Sequence, residues 1–224
     1  MTPPPPLKDT NLFKPIKVGS VTLQNRLVFA PTTRFRNTED FVATNLMKKH
    51  YEDRAENNGG LLIGEATYIN LGGGLYPHGP VIESKRQVEA WKQIVDAVHA
   101  KGSAIALQIY HLGRTADAAL LKTYGEPFLA PSAEYFDEGH KEVTLSADCF
   151  DENHEQVAIK AGNELRAFTL EEVKQMIEDF KTAAIHAIKV AGFDFVELHA
   201  AHMYTMAQFL EVVSNHRTDE WFRC

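Results

Sequence analysis

The sequence has few of the features that mark several large classes of protein. Only two of its 224 residues are cysteines, Cys149 and Cys224, a number that fits a reducing compartment. The formal net charge is -7 and no dense basic run occurs, so a nucleic-acid partner is not expected. No apolar run approaches the roughly 20 residues that span a membrane. We therefore expect a cytoplasmic protein with neither a nucleic-acid nor a membrane partner.

The first ten residues also lack the pattern of a secretory signal. They read MTPPPPLKDT, in which the proline run cannot be helical and no apolar stretch follows. We expect residues 1–10 to form a disordered, proline-rich tail. The chain is 44% hydrophobic and 24% charged, which is typical of a soluble globular protein. Residues 11–224 are therefore expected to form a domain with a sizeable core.

Strand and helix patterns alternate along this domain. A short hairpin is predicted around Gly19 and Ser20, and an apolar strand follows at 27–30. Further strands are predicted at 61–69, 103–111 and 193–200, and helices at 43–57, 84–101 and 169–191. Such alternation is typical of a parallel sheet with helices outside it.

Terminal residues support two of these helices. Ser84 fits an N-cap, and Thr169 with Glu172 fits a capping box. The polar stretch 112–167 is longer than an ordinary connection between elements. It therefore indicates either a functional loop or small elements of its own.

A parallel sheet of this kind is either an open, doubly wound sheet or a (β/α) barrel. No G-x-G-x-x-G follows the first strand, which weakens the dinucleotide-binding open sheet. Polar residues follow all four strands, on the face where barrel enzymes build their active sites. They are Thr32, Thr33, Glu65, Thr67, Gln108, His111, His199 and His202. Because a complete barrel has eight strands in about 250 residues, the sequence predicts the first four strands of an α/β fold of the (β/α)8 TIM-barrel type.

Five stretches resemble one family, the old yellow enzymes. In order they read LFKPIKVGSVTLQNRLVFAPTTRFR, GGLLIGEATYI, LQIYHLGR, AGFDFVELHAAHMYTMAQFL and SNHRTDEW. Members of this family are FMN-dependent NADPH dehydrogenases and ene-reductases on a (β/α)8 barrel. The resemblance implies an enzyme that uses FMN and NADPH to reduce the activated C=C bond of an enone or enal.

The resemblance also implies which residues contact the flavin. Thr33 matches a threonine that hydrogen-bonds the ring near its O4, and Pro31 and Thr32 would supply neighbouring backbone contacts. Ala66 lies where the family has a Gly or Ala close to the ring. Gln108 matches an amide that pairs with the pyrimidine edge, a role that suits a group that both donates and accepts.

Three residues after the last predicted strand match the family's catalytic residues. His199 and His202 match the pair that holds the carbonyl oxygen of the substrate, and Tyr204 matches the proton donor. Two N–H donors would stabilise the charge that grows on this oxygen, and a phenol can protonate the α-carbon.

Other interpretations of these residues remain open on the sequence alone. Spaced three residues apart, His199 and His202 could be structural or could bind zinc, but no third ligand is evident and we expect no metal. Glu65 and Glu197 lie in apolar strands, where a bare carboxylate is costly, so we expect each to pair with a basic side chain. His111 lies three residues after Gln108, at the same end of the strand predicted at 103–111.

The sequence departs from the family pattern after Glu220. Family members usually continue with Tyr-Gly-Gly-Ser, whereas this chain reads WFRC, which we expect to be foreign sequence. The later half of the family supplies a flavin-contacting arginine and the phosphate site. We therefore expect weak FMN binding and poor solubility for this chain alone, unless it forms a homodimer. The alternative function is a truncated, catalytically impaired family member.

Overall fold

The computed structural model describes residues 6–56, 59–135 and 154–222. Its strands are β1 Ile16–Val18, β2 Val21–Leu23, β3 Val28–Phe29, β4 Leu61–Tyr68, β5 Ala104–Tyr110, β6 Leu129–Ala130, β7 Arg166–Ala167 and β8 Phe195–Leu198. Its α-helices are α1 Asn45–Ala55, α2 Lys85–Ala100, α3 Ala118–Thr123, α4 His154–Ala161, α5 Leu170–Ile185 and α6 Thr205–Leu210. Part of the predicted tail is ordered, since Leu7–Asp9 forms a 3-10 turn.

The main sheet has four parallel strands in the order β3, β4, β5, β8. Spatial order follows chain order, and helices lie on the connections, as in successive units of a (β/α) barrel. Strand β5 is buried at all seven positions, because it lies in the middle of the sheet with side chains covered on both faces. The predicted half-barrel is therefore confirmed, and so are the hairpin of β1 with β2 and all four predicted parallel strands.

Capping residues define the two long helices that cover this sheet. Ser84 and Gln87 form a capping box at the start of α2, and Thr169 and Glu172 form one at the start of α5. The second box was predicted from the sequence, whereas only the serine N-cap of the first was predicted. Buried apolar side chains of α1, α2 and α5 pack against β4 and β5 as one core, which includes Trp91.

The long polar stretch contains small elements, as one of the two interpretations predicted. A 3-10 turn at Gly113–Thr115 is followed by α3, β6, α4 and β7. Strands β6 and β7 pair with each other outside the main sheet. The part of this stretch at 136–153 lies outside the described residues.

Both edges of the main sheet expose apolar side chains. Val28 on β3 is 52% exposed and Leu198 on β8 is 54% exposed. Beside the β8 edge, α5 and α6 enclose an apolar groove of about 300 Å³. None of the helices in the described ranges is both long and apolar enough to span a membrane.

Candidate active site

The loop after β8 brings the three predicted catalytic residues together. His202 Nδ1 lies 3.3 Å from His199 Nε2. The ring of Tyr204 stands edge-on to the ring of His199, with 4.8 Å between centroids. His199 and Tyr204 are partly buried and His202 is exposed, so the group borders open space at the carboxyl end of the sheet.

This loop is held in a strained backbone conformation. His202 and Met203 both have a φ of 55°, which costs non-glycine residues energy. Gln208 of α6 stabilises the corner, because its Nε2 donates to the carbonyl of Met203 at 2.6 Å and to that of Leu112 at 2.8 Å. The fully buried Gln208 thus fixes the backbone between the second histidine and Tyr204.

The two histidine rings bond to each other in this arrangement. His199 Nδ1 accepts weakly from the backbone N–H of Ala201 at 3.4 Å, which places the His199 proton on Nε2, where it can be donated to His202. Burial, with a smaller contribution from His202, lowers the pKa of His199 to about 4. His199 is therefore neutral at pH 7. Two N–H groups aimed at one oxygen were expected, whereas here the first histidine donates to the second.

A stack of aromatic rings supports the histidines from below. The rings of Tyr68 and Tyr110 are stacked 4.7 Å apart, and Tyr110 lies 5.1 Å from Tyr204 and 6.0 Å from His199. Tyr68 and Tyr110 are both buried. This stack was not predicted from the sequence, although each tyrosine ends a strand that was predicted.

A β-bulge places the next predicted residues. The register between β4 and β5 shifts between Gly64 and Thr67, so that Glu65 and Ala66 together face Gln108. Such bulges re-aim side chains beside functional sites. Ala66 and Gln108 are both buried. The bulge therefore brings two of the predicted flavin contacts to one place.

The carboxylates of the sheet have partners that differ from those expected. Glu197 Oε1 accepts from Gln108 Nε2 at 2.5 Å. Glu65 accepts from the backbone N–H of Arg34 at 3.0 Å and from the hydroxyl of Tyr51 at 3.2 Å. The hydrogen bonds seen for these two carboxylates therefore come from neutral donors and not from the basic side chains that we expected. Burial raises the pKa of Glu65, and the charge of Arg34 is a smaller, opposing contribution.

The segment after β3 carries the remaining predicted flavin contacts. Pro31 and Thr33 are partly buried and Thr32 is exposed, in a stretch that forms neither helix nor strand. The hydrogen bond of Arg34 to Glu65 ties this segment to the bulge. All eight predicted site residues therefore lie along the carboxyl ends of the four strands.

One polar residue that was predicted at this face lies beneath it. His111 is 7% exposed, and its Nδ1 accepts from the N–H of Gly113 at 3.0 Å and lies 2.7 Å from the Thr205 hydroxyl. Burial lowers its pKa to about 4. His111 therefore acts as a neutral link between the end of β5 and the start of α6.

Within the parts of the chain that the structure describes, no group of three or more His, Cys, Asp or Glu side chains is placed to hold an ion. The predicted site residues provide an amide, a threonine hydroxyl and a small side chain, from Gln108, Thr33 and Ala66. Beside them lie the two imidazoles and the phenol of the loop after β8.

Comparison with known proteins identifies relatives over almost the whole chain. The family model described as NADH:flavin oxidoreductase / NADH oxidase matches residues 11–222. A probable NADPH dehydrogenase of Candida albicans is 43% identical over 217 residues, which are 96% of this chain and 50% of that protein. The chain spans about half the length of the curated relatives it matches.

Solved structures show the same correspondence. An Old Yellow Enzyme from Pichia sp. superposes with a TM-score of 0.88 at 55% identity, covering 96% of this chain and 52% of that one. Morphinone reductase in complex with tetrahydroNAD superposes with a TM-score of 0.78 at 35% identity, covering 95% and 55%.

The family match includes two residues that we expected to be foreign. It extends to Phe222, and Trp221 packs against the main core. The backbone N–H of Trp221 donates to Asp219 at 3.0 Å, and its carbonyl accepts from Asn215 at 2.9 Å. These contacts integrate Trp221 into the fold and count against a foreign origin for it.

Proposed function

The chain belongs to the NADH:flavin oxidoreductase / NADH oxidase family, and from that premise we propose that it binds FMN and uses NADPH to reduce the activated C=C bond of α,β-unsaturated carbonyl compounds. The observation that carries the proposal is the position of His199, His202 and Tyr204. They follow β8, which pairs directly with the strand that bears Gln108. A group that binds carbonyl oxygens therefore adjoins a group suited to a flavin.

Residues of three strands fit the ring of FMN. Gln108 uses its Nε2 to bond Glu197, so its Oε1 is left to accept an N–H of the pyrimidine edge. Ala66 lies opposite it on the bulge and is small enough to let a flat ring approach. The Thr33 hydroxyl would hydrogen-bond the ring near its O4. Bound FMN supplies the hydride chemistry between nicotinamide and substrate.

The histidine pair would hold and polarise the substrate. A carbonyl oxygen that enters the site replaces His202 as acceptor of the His199 Nε2 proton, and His202 donates from its own N–H. The exchange costs little, because one hydrogen bond replaces another. Both hydrogen bonds strengthen as negative charge develops on the oxygen, as in an oxyanion hole.

Tyr204 would complete the reduction by protonating the α-carbon. Its ring contacts that of His199 and rests on Tyr110, and these contacts support a position of its hydroxyl near a carbonyl held by His199. A phenol whose ordinary pKa is about 10 stays protonated at neutral pH and can act as a general acid.

An anaerobic assay with excess FMN and NADPH tests this function. We expect 2-cyclohexenone to be reduced to cyclohexanone, and cyclohexene, which lacks the carbonyl, to be left unchanged. Replacing both histidines, His199→Ala with His202→Ala, should lower kcat/KM for the enone by about 100-fold or more. Equal reduction of both compounds, or an unchanged rate in the double variant, would contradict the proposal.

We propose further that a second copy of this chain covers the open edges of the sheet. Two copies related by a two-fold axis would pair β8 of one with β3 of the other at both seams and supply the eight strands of a closed barrel. The pairing would bury the apolar side chains Val28 and Leu198, which isolated edges leave in water. The groove beside β8, which Ile177 and Phe209 help to line, would be covered at the same seam.

Light scattering after gel filtration tests this assembly. We expect about twice the 25.1 kDa of one chain, and a monomer for Leu198→Lys, because a charge at the seam blocks pairing. Ile159→Lys on α4 is the matched control, since Ile159 is also exposed but lies away from both edges. A monomer that retains stoichiometric FMN would contradict the proposal, and a colourless monomer would favour the catalytically impaired alternative.

A further inference from the structure

Glu65 is the most deeply buried carboxylate beside the candidate site. It is 0% exposed and lies in the bulge of β4, next to Ala66. Burying a carboxylate is costly unless hydrogen bonds compensate for lost water. Neither the substrate chemistry nor the proposed flavin contacts use Glu65, so its position requires another explanation.

Tyr51 of α1 holds Glu65 at two points. The Tyr51 hydroxyl donates to Glu65 Oε1 at 3.2 Å and accepts from the backbone N–H of Glu65 at 2.8 Å. Tyr51 is itself 1% exposed. The phenol therefore fixes both the backbone and the carboxylate of Glu65 in the bulge.

The other oxygen of Glu65 reaches the segment that carries Thr33. Its Oε2 accepts from the backbone N–H of Arg34 at 3.0 Å. This segment follows a strand of only two residues, and it bends at Phe35, whose φ is 50°. Two contacts with other elements follow: the Arg34 guanidinium lies against the His50 ring of α1, and the Thr44 hydroxyl donates to the carbonyl of Arg36 at 2.7 Å. Glu65 is thus the contact closest to Thr33 that ties the segment to the sheet.

We propose that Glu65, held by Tyr51, is a positioning residue that sets Thr33 at the flavin ring. The proposal rests on the proposed function, because it takes Thr33 and Ala66 as flavin contacts. The bulge of β4 then positions both proposed flavin contacts. It places Ala66 directly, and it places Thr33 through the carboxylate of Glu65, which precedes Ala66. Such support is required, because a site residue displaced by a fraction of an ångström loses much of its effect.

Four variants separate positioning from general stability. Glu65→Leu removes the acceptor of the Arg34 N–H, whereas Glu65→Gln keeps one oxygen that can accept it. Tyr51→Phe is a milder change that removes only the hydroxyl holding Glu65. Gln87→Leu is the matched control, since Gln87 is also a buried polar residue with hydrogen bonds, but it lies at the start of α2.

The first measurement is amide hydrogen exchange of residues 30–36 without FMN. We expect exchange of this segment to be about tenfold faster in Glu65→Leu than in the wild type, the effect of one lost hydrogen bond. We expect near wild-type exchange in Glu65→Gln, an intermediate rate in Tyr51→Phe, and no local change in Gln87→Leu. Uniform acceleration across the whole chain, or none at 30–36, would overturn the proposal.

The second measurement is the dissociation constant for FMN in the same variants. We expect it to rise about tenfold in Glu65→Leu, to stay near the wild-type value in Glu65→Gln, and to be unaffected by Gln87→Leu. A segment that loosens in Glu65→Leu without any change in FMN affinity would overturn the link to the flavin. If the wild-type chain binds no FMN, the proposed function fails, and hydrogen exchange alone decides whether Glu65 positions the segment.

Discussion

Among single residues, Tyr204 carries the protonation step in the proposed reaction, a step that the other proposed site residues cannot perform. Replacing it with phenylalanine removes the proton donor but keeps the ring contacts with His199 and Tyr110. We expect Tyr204→Phe to slow the oxidation of the reduced flavin by an enone by about 10²–10⁴-fold, the usual contribution of one general acid. Reduction of the flavin by NADPH should be unchanged. Stopped-flow absorbance measures both half-reactions.

A matched substitution controls for the loss of a phenol. Tyr124→Phe removes the hydroxyl of an exposed tyrosine that packs on Phe41. Both half-reactions should keep their wild-type rates in this variant. If Tyr204→Phe and Tyr124→Phe oxidised the flavin equally fast, another group would have to be the acid.

His111 makes the stability of the fold depend on pH. Its pKa is about 4 in the folded protein and about 6.5 when exposed, so the unfolded chain binds protons more readily between these values. The stability that the protein has with a neutral, buried His111 is fully present above about pH 6.5. It is lost as the pH falls toward 4, because the unfolded chain then gains a proton that the folded protein does not. The full difference between pH 6.5 and pH 4 amounts to about 3 kcal/mol.

Urea unfolding between pH 7 and pH 4.5 tests this dependence. His111→Asn keeps an acceptor for the N–H of Gly113 but cannot titrate, so the free energy of unfolding should fall less steeply with pH than in the wild type. His99→Asn, at an exposed histidine paired with Asp194, is the control for a general loss of imidazole. Parallel pH profiles for His111→Asn and the wild type would show that His111 is not among the groups responsible for the pH dependence.

The residues that could be predicted from sequence are those close together in the chain. His199, His202 and Tyr204 follow one strand within a few residues, so a single loop is enough to bring them near one another. The Tyr51–Glu65 bond and the Tyr68–Tyr110 stack join different elements, and nothing local indicates either. For the same reason the partners of Glu65 were predicted incorrectly: the backbone N–H of Arg34 leaves no mark in the sequence.

Among elements, α6 and the turn at Gly113–Thr115 set the geometry of the site loop. Gly113 has a φ of 62°, and a Cβ there would lie 2.7 Å from the Thr205 hydroxyl and would also collide with the amide of Gln208. Gln208 is the side chain that holds the strained corner at Met203. The turn and the helix therefore fit only because residue 113 is glycine.

Substituting two glycines separates this packing requirement from backbone strain. Gly102 has a φ of 80°, but a Cβ there would meet no atom within 4 Å. We expect Gly102→Ala to lower the free energy of unfolding by about 1 kcal/mol, and Gly113→Ala by about 2–4 kcal/mol. Urea denaturation measures both. Equal losses would mean that Gln208 moves aside at no cost.

Element types were more predictable than their bounds. Helix α5 was recognised from its capping box and apolar spacing, but the chain continues beyond it as a π-helix at His186–Ala191 before Gly192 ends it. Helix α6 was missed, because six residues are too few for an apolar periodicity to stand out. The elements within 112–167 were not located, because each is short and depends on tertiary contacts.

For the whole molecule, the alternation of strands and helices was sufficient to predict half of a barrel. Each unit buries its apolar faces against the next one, so the order β3, β4, β5, β8 follows from the chain itself. What covers the two outer edges is not encoded in any local pattern, because it depends on another polypeptide or another segment. The same edges explain why we expect FMN to bind weakly unless two copies pair.

The most direct test of the central claim is a titration of the purified chain with FMN, followed by visible absorption at equilibrium and then by addition of NADPH without oxygen. The account predicts a saturable change in the flavin spectrum, weakened about tenfold in Gln108→Leu, and bleaching of the bound flavin by NADPH. A mixture whose spectrum remains the sum of free protein and free FMN, at concentrations where the chain is dimeric, would contradict it.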